Sequence, residues 1–275
     1  MYVTRRCAGL SILGVDATRF LAAYDEHLRT EAEVRGAVAT ARRGPLWLAL
    51  FPDGEGFVSY RDLAGSDAAG VRRMVADALQ HFALEPSVRR VEWKTRGHDE
   101  APGLYAALAE HGFMAEEPES IMIGELRNLA VDVVLPAGVG VRRVTAEPDV
   151  RAVSALQDMV FGGEVSEATA DALVQRVKED DQLELWAAEV GGGFVSAGRL
   201  ELVPGTPFAG LWGGATRADW RGRGIYRAVT ATRARSALER GKTLVNSDST
   251  EFSRPILERS GLVKVGTTTP YVWRR

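Results

Sequence analysis

The sequence predicts an α/β protein whose chain runs twice through a similar order of strands and helices. Stretches typical of strands alternate with stretches typical of helices along all 275 residues. The last helix of each half ends at a glycine, Gly112 in the first half and Gly261 in the second, as helices often do. A chain of this length forms one large domain or two of ordinary size. We therefore expect two domains, residues 1–130 and 138–275.

The first half is predicted to begin with a long helix and to continue with a strand pair, a helix, a strand, a helix and a last strand. In order these are residues 16–43, 46–51, 56–60, 66–82, 88–95, 101–111 and 119–125. We expect Ser66 or Asp67 to cap the helix that follows the strand pair, because both side chains accept hydrogen bonds from the amides of a helix start.

The second half is predicted to repeat this order behind two leading helices. Its elements are helices 147–161 and 166–180, strands 183–190, 194–203 and 208–216, helix 224–240, strand 243–247, helix 253–260 and a strand near Tyr271. Between the third strand and the long helix lies Arg221-Gly222-Arg223-Gly224-Ile225-Tyr226. Glycines let backbone approach a ligand closely, and the free amides of a helix start attract anions. The order strand, loop, helix therefore predicts a phosphate-binding loop.

Basic side chains cluster around this loop although the whole chain carries a net charge of −3. We expect Arg221 and Arg223 to contact a bound anion, and Arg233, Arg235 and Arg240 to lie on a solvated helix face. The overall charge argues against nucleic acid or an anionic membrane as a partner.

The composition, 45% hydrophobic and 26% charged, is typical of a soluble globular protein. Cys7 is the only cysteine, so an intrachain disulfide is impossible. Together with an N-terminus that has no continuous apolar segment, this predicts a cytoplasmic location. His98-Asp99-Glu100 has residue types that can bind metal but no paired ligand at a suitable spacing, so no metal is expected.

The loop and its flanking elements resemble the GNAT superfamily of acyl-CoA-dependent N-acyltransferases. Their signature, Gln/Arg-x-x-Gly-x-Gly/Ala, lies between a central strand and a long helix. Arg221 and Gly224 match it, whereas Tyr226 stands where the family has glycine or alanine. The resemblance covers roughly residues 139–273 and implies two tandem GNAT-like domains, each a mixed, mostly antiparallel sheet flanked by helices. The loop of the first half, residues 61–66, lacks the signature, so we expect that half not to bind CoA.

The resemblance implies an N-acetyltransferase that passes an acetyl group from acetyl-CoA directly to an amine of a small molecule. The backbone of the loop is then expected to hold the pyrophosphate, and the strand before it the pantetheine arm and thioester carbonyl. The implied cofactor-binding residues are Gly214, Ala215, Thr216, Arg221, Gly222, Arg223, Gly224, Ile225, Tyr226 and Ser253. For Ser253 a role as helix cap is an equal alternative.

The resemblance also implies a general base and a general acid. Glu201 is the first candidate for general base, with a surface strand residue as the alternative, and Asp248 is the second, with a helix cap as its alternative. The family's proton-donating Tyr position holds Leu257, so Tyr271 or Tyr226 serves, or the thiolate leaves unassisted. A half-buried strand position is the alternative for Tyr271.

Two other functions remain open from the sequence. One is a CoA-binding protein without catalysis, in which the missing Tyr reflects lost chemistry. The other is an acyltransferase that uses aminoacyl-tRNA, which the net charge disfavours. The acceptor amine cannot be read from the residues; Glu164, Glu167 and Asp171 form either an acidic entrance for a cationic amine or a solvated helix face.

Overall fold

The structure, a computed structural model, describes residues 9–52 and 54–275. The chain forms two compact units, and each unit draws on separate stretches of sequence. The first comprises Met1–Met122, Asp248–Ile256 and Val263–Arg275, and the second comprises Ile123–Ser247 and Leu257–Leu262. The division into domains at residues 130–138 stays a prediction. Cys7 lies outside the described residues.

The first unit is built on a mixed sheet with helices. Its elements are α1 (Gly9–His27), β1 (Ala39–Arg43), β2 (Leu46–Leu50), β3 (Glu55–Ser59), α2 (Ala68–Ala83), β4 (Arg90–Arg96), α3 (Leu104–Glu110), β5 (Met114–Ala115), most of β6 (Glu119–Glu125) and, from the end of the chain, β12 (Val263–Arg274). Antiparallel β1, β2 and β3 are followed by β4, parallel to β3, and β12 lies antiparallel to β4.

Buried side chains of α2, α3 and the strands form the core of this unit. Val75 and Phe82 of α2 pack with Val58 of β3 and Trp93 of β4, all at most 1% exposed. Burying such side chains is the main favourable contribution to folding. The predicted cap at Asp67 is confirmed, because its side chain accepts a hydrogen bond from the amide of Gly70 at 2.8 Å.

The predicted helix over residues 16–43 is wrong in its second part. Helix α1 ends at His27, a 3-10 turn follows at Glu31–Val34, and residues 39–43 form strand β1. Thr30 caps the 3-10 turn. The alanines and arginines of β1 favour a helix by propensity, but all five residues pair with β2, so tertiary pairing overrides the local preference.

The second unit contains most of the remaining elements. These are α4 (Leu126–Leu129), β7 (Gly140–Val144), α5 (Glu147–Phe161), α6 (Glu167–Glu179), β8 (Leu183–Val190), β9 (Gly193–Leu202), β10 (Phe208–Thr216), α7 (Ile225–Glu239), β11 (Leu244–Ser249) and α8 (Arg254–Arg259), with the last residues of β11 and the first of α8 counted in the first unit. Strands β7 to β10 are antiparallel in chain order, and β11 is parallel to β10.

Helices cover the sheet of the second unit with two apolar clusters. One joins α5 and α6 to β7, β8 and β9, with Val153 and Leu185 fully buried. The other places Ile225 and Val229 of α7 against Val195 of β9. Within the described part of the chain, no helix combines the length and the apolar character that crossing a membrane requires.

Candidate functional site

A fork between β10 and β11 opens at the centre of the second unit. The two strands pair only from Phe208 to Gly210, opposite Leu244 to Asn246, although β10 continues to Thr216. Beyond the last pair, the Ser247 hydroxyl donates a hydrogen bond to the carbonyl oxygen of Leu211 at 3.0 Å. The rest of β10 therefore has no partner strand on this side in the described register.

A bulge in β10 begins directly beyond this fork. Trp212 pairs with Arg199 of β9, and Ala215 pairs with Ala197. Gly213 and Gly214, which lie between them, have no pairing partner in β9. Gly213 has a φ of 58°, a left-handed conformation that suits glycine. Its carbonyl oxygen accepts a hydrogen bond at 2.6 Å from Nε2 of Gln157 on α5. The bulge thus presents two glycine backbone units that lie outside the ladder with β9.

Arg233 supports this bulge from helix α7, and its expected place on a solvated helix face is wrong. Its side chain is buried and donates to the carbonyl oxygen of Arg199 at 2.9 Å and, at 3.5 Å, to that of Trp212. Burial, opposed by Tyr226 and helped by the nearby Arg199, lowers the pKa of Arg233 to about 10. Gly198 makes room for the guanidinium, since a Cβ there would lie 2.6 Å from Nη1. Arg233 thus holds backbone carbonyls on both strands.

Arg235 and Arg240 remain closer to the surface than Arg233. Nη2 of Arg235 donates to the carbonyl oxygen of Val131 at 2.6 Å and pairs with Asp132. Arg240 lies 3.5 Å from the Glu184 carboxylate.

The predicted loop follows β10 and leads into α7. Nε of Arg221 donates to the carbonyl oxygen of Thr216 at 3.1 Å, which fixes the side chain at the strand end. Gly222 and Gly224 have φ angles of 73° and 77°, so both use the left-handed conformation that other residues avoid. Gly224 is the N-cap of α7, and no side chain accepts a hydrogen bond there. The amides of the first turn of α7 are therefore left without a side-chain cap.

The side chains around the loop divide into exposed and packed ones. Residues 221–224 are exposed, and the Arg223 guanidinium lies 4.7 Å from the centre of the Trp220 ring, a distance typical of a cation–π contact. Ile225 is buried and anchors the start of α7. Tyr226 turns its ring against the bulge, because a Cβ on Gly214 would lie 2.9 Å from Cε2 of Tyr226. Loop and bulge thus meet through the Tyr226 ring.

These features fit a phosphate-bearing ligand. An uncapped helix N-terminus supplies amide donors and a favourable dipole. A Cβ on Gly222 would meet nothing within 4 Å, so the backbone is open to solvent there. Arg221 donates from Nε to a backbone carbonyl, which leaves its charge available to a diphosphate. The loop therefore offers amide donors and positive charge to a phosphate group.

Comparison with known proteins identifies the fold. No family model matches the sequence, and no curated protein matches it. A GCN5-related N-acetyltransferase from Kribbella flavida is 21% identical, with a TM-score of 0.67, covering 93% of this chain and 95% of that one. A tandem GNAT protein from the clavulanic acid biosynthesis pathway is 17% identical, with a TM-score of 0.62, covering 97% and 95%. The fold is that of the GNAT superfamily.

A third GNAT structure gives the same result. A GCN5-related N-acetyltransferase from Sphaerobacter thermophilus is 14% identical, with a TM-score of 0.60, and the match covers 84% of this chain and 76% of that chain. The predicted fold class, tandem GNAT-like units with mixed sheets flanked by helices, is confirmed. At these identities the likeness is one of fold.

Glu201, the first candidate base, lies on β9 opposite Gly210, the last residue of β10 that pairs with β11. Its carboxylate forms ion pairs with Arg176 of α6 at 3.2 Å and with Arg199 at 3.4 Å. Burial lowers the pKa of Arg199 below its usual value, although the neighbouring Glu201 carboxylate acts in the opposite direction. Glu201 is therefore bound by two arginines near the fork.

Three other candidate residues, Asp248, Ser253 and Tyr271, belong to the first unit. Asp248 pairs with Lys94 of β4 at 2.6 Å; burial lowers the pKa of Lys94, but Asp248 and Glu33 raise it well above its usual value. The Ser253 hydroxyl lies 2.8 Å from that of Ser249.

Tyr271 is the remaining catalytic candidate of the first unit. It lies in β12 opposite Trp93 and stacks on Tyr105 with ring centres 5.6 Å apart. Burial raises the pKa of Tyr271. The described contacts of Tyr271 therefore all lie inside the first unit, where it occupies the half-buried strand position weighed for it.

Two features of the site escape sequence reasoning. Gln157 and Arg233 lie inside helices, and no motif marks either of them.

The acidic residues considered for an entrance behave as a helix face, since Glu167 and Asp171 both pair with Arg151. Among residues 9–52 and 54–275, no three His, Cys, Asp or Glu side chains lie together as metal ligands would.

Proposed function

We propose that the second unit binds acetyl-CoA and transfers the acetyl group to an amine of a small molecule. The observation that carries the proposal is the start of α7, where Gly224 replaces a side-chain cap and Arg221 and Arg223 flank open backbone. In this assignment the amides from Gly222 to Tyr226 bind the pyrophosphate. Arg221 and Arg223 add positive charge to the same phosphates.

The bulge is the proposed place of the reacting carbonyl. Gln157 holds the Gly213 carbonyl and Arg233 that of Trp212, so both are bound by side chains of the flanking helices. The amides of Gly213 and Gly214 lie outside the strand pairing and are proposed to donate to the thioester oxygen as charge develops on it. Ala215 and Thr216 continue the strand along the pantetheine arm.

Proton transfer needs a group near the fork that accepts a proton from the attacking ammonium. Glu201 is proposed as the group that accepts the ammonium proton, directly or through water, because it is the carboxylate placed at the fork. Its ion pairs with Arg176 and Arg199 favour an alternative role, that of orienting these arginines. Ser253 and Tyr271 stay proposals for contact with the pantetheine and for return of a proton to sulfur.

The alternative function, CoA binding without catalysis, is favoured by one observation. Leu257, which stands at the family's Tyr position, is 2% exposed and packed in the second unit. Its side chain has no proton to give.

Calorimetry with acetyl-CoA, followed by an assay of thiol release with a panel of amines, tests the proposal. We expect binding by the intact protein and about a tenfold weaker Kd for Arg221→Gln, since a charge-assisted hydrogen bond is lost. The matched control is Arg217→Gln, because Arg217 is exposed and paired with Asp219. Absence of binding contradicts the whole proposal, whereas binding without thiol release for any amine contradicts catalysis and supports the alternative.

Glu201→Gln separates the two roles of that residue. As a proton acceptor, Glu201 gives a pH-dependent kcat whose acidic limb disappears in the variant while the Kd for acetyl-CoA is unchanged. As an orienting residue, it leaves the shape of the pH profile intact and changes KM instead.

A further inference from the structure

Two arginines and a glutamate lie together on the face of the second unit's sheet that α5 and α6 cover. Ala197 of β9 belongs to the apolar cluster under these helices. Alternate residues of a strand point to the same face, so Arg199 and Glu201 follow Ala197 on that face. Arg176 reaches them from α6 and pairs with Glu201 at 3.2 Å. The apolar core under the two helices thus ends in charged side chains beside the fork.

This group of three carries one more positive than negative charge. Both carboxylate oxygens of Glu201 are used, Oε1 by Nε of Arg199 at 3.4 Å and Oε2 by a terminal nitrogen of Arg176. The acids that follow along α5 and α6 accept hydrogen bonds from backbone amides, namely Asp158 and Asp180. Among the contacts of the described residues, one carboxylate is therefore shared by two guanidinium groups.

The guanidinium groups keep donors that Glu201 does not use. A guanidinium has five N–H donors, and Arg199 turns its buried Nε toward Glu201 while 30% of its side chain is exposed. Its terminal nitrogens are not buried and form no hydrogen bond with the described residues. Burial lowers the pKa of Arg199, and the charge of Arg176 adds to this effect against the opposing Glu201. A further anion at the terminal nitrogens would stabilise both charged arginines.

The guanidinium of Arg199 lies beside the glycine bulge. A Cβ on Gly213 would lie 3.9 Å from Cζ of Arg199. Trp212 pairs with Arg199 across the two strands. Its indole covers Gly210, because a Cβ there would collide with the ring. Charged donors, an apolar ring and the backbone assigned above to the thioester carbonyl therefore border one place in the second unit.

On the basis of the acyl transfer proposed above, we propose that the acceptor is an α-amino acid whose carboxylate binds the guanidinium groups of Arg199 and Arg176. Planar guanidinium groups match a carboxylate through paired hydrogen bonds. In an α-amino acid the amine is one carbon away from the carboxylate, so binding at Arg199 brings the nitrogen to the bulge. The side chain of the amino acid then has the Trp212 ring as an apolar surface.

The reaction leaves the group that the arginines hold unchanged. The ammonium group first gives a proton to Glu201, directly or through water. The neutral amine then forms a bond to the carbonyl carbon, and the carbon–sulfur bond breaks with its electron pair on the sulfur of CoA. The second proton of the nitrogen ends on this thiolate or in water. The product is an N-acetyl amino acid that keeps its carboxylate.

A thiol-release assay with acetyl-CoA, the standard α-amino acids and the primary amide of each tests the inference, because the amide keeps the amine and the side chain but lacks the carboxylate. We expect at least one amino acid to react, with a KM at least about tenfold below that of its amide. Arg199→Gln and Arg176→Gln should each raise the KM for the amino acid about tenfold and narrow its difference from the amide.

Two further variants serve as controls. Arg151→Gln should keep the full difference between amino acid and amide, because the charge of Arg151 is used by Glu147 and Asp171. Arg199→Lys keeps the charge and loses the planar fork, so it should recover part of the affinity that Arg199→Gln loses. If thermal unfolding shows that the Arg199 variants do not fold, Arg176→Gln alone decides the test.

The possible failures of the inference and of acyl transfer differ. Thiol release with amines regardless of a carboxylate, or an unchanged ratio of amino acid to amide in the folded variants, overturns the inference and leaves acyl transfer standing. No binding of acetyl-CoA, or no thiol release with any amine, overturns acyl transfer and the inference with it.

Discussion

The two units each contain a strand, a loop and a long helix in succession, and the two helix starts differ in one respect. At α2, the carboxylate of Asp67 accepts a hydrogen bond from the amide of Gly70. At α7, Gly224 takes the cap position in a left-handed conformation and no side chain caps the helix. The first helix satisfies its own amides, whereas the second leaves them for another acceptor.

This difference is the reason why we propose an anion site at the loop of the second unit and none at the corresponding loop of the first. A carboxylate at the cap both uses the donors and repels a second negative charge. The loop without the glycine and arginine signature therefore precedes the helix that has a side-chain cap. The comparison turns on a single position in each loop, so it can be tested by exchanging residues.

Gly224→Asp has the largest expected effect. It places a carboxylate at the start of α7, where Asp67 stands in α2, while aspartate tolerates the left-handed conformation better than most residues. We expect the Kd for CoA to rise about a hundredfold, or ~2.7 kcal/mol, by calorimetry. Gly224→Asn is the matched control without charge, with a rise of less than about tenfold. Equal losses in the two variants would show that charge at the cap is not the cause.

Gly214→Ala tests the contact between the bulge and the Tyr226 ring. The first unit has no such contact, because α2 carries Ala69 at the position where α7 carries Tyr226. The added methyl group lies 2.9 Å from Cε2 of Tyr226, so the ring must move. We expect a loss of ~1–3 kcal/mol in the free energy of unfolding, measured in urea. In Gly214→Ala/Tyr226→Ala the loss should be smaller than the sum of the single losses. Simple additivity refutes the contact.

Asp67→Ala has the smallest expected effect. Removing the cap of α2 should cost ~1 kcal/mol of unfolding free energy, while Asp67→Asn, which keeps an accepting oxygen, should stay within a few tenths of the intact protein. Thermal unfolding of both variants gives the comparison. CoA affinity should not change in either variant, and a change there would mean that the first helix start takes part in CoA binding.

Regular patterns of apolar residues predict much of the fold. The sequence predicts strands 119–125, 183–190 and 208–216 and helix 147–161 with the bounds that the structure has. Each has a strong period or a clear stop signal, such as Gly162 after α5. The Gly/Arg loop can also be predicted from the sequence, because the left-handed conformations at positions 222 and 224 favour glycine. The role of this loop in binding CoA stays a prediction.

Tertiary contacts decide the parts that the pattern misses. Strand β1 carries helix-favouring alanine and arginine, and only its pairing with β2 makes it a strand. Arg233 occurs in a run of basic residues, and only the packing of α7 over Gly198 shows that it is buried. Tyr271 and Ser253 belong to the predicted second half, residues 138–275, but lie in the first unit, because a chain can return to an earlier unit without any local signal.

The return of the chain to the first unit has a consequence for synthesis on the ribosome. Seven residues of β12, from Thr268 to Arg274, pair with β4, and these residues are translated more than 170 positions after β4. The nascent first unit exposes an edge of β4 while the whole second unit is being made, and such edges invite pairing with other chains. Premature termination before residue 263 would therefore damage the unit that was translated first.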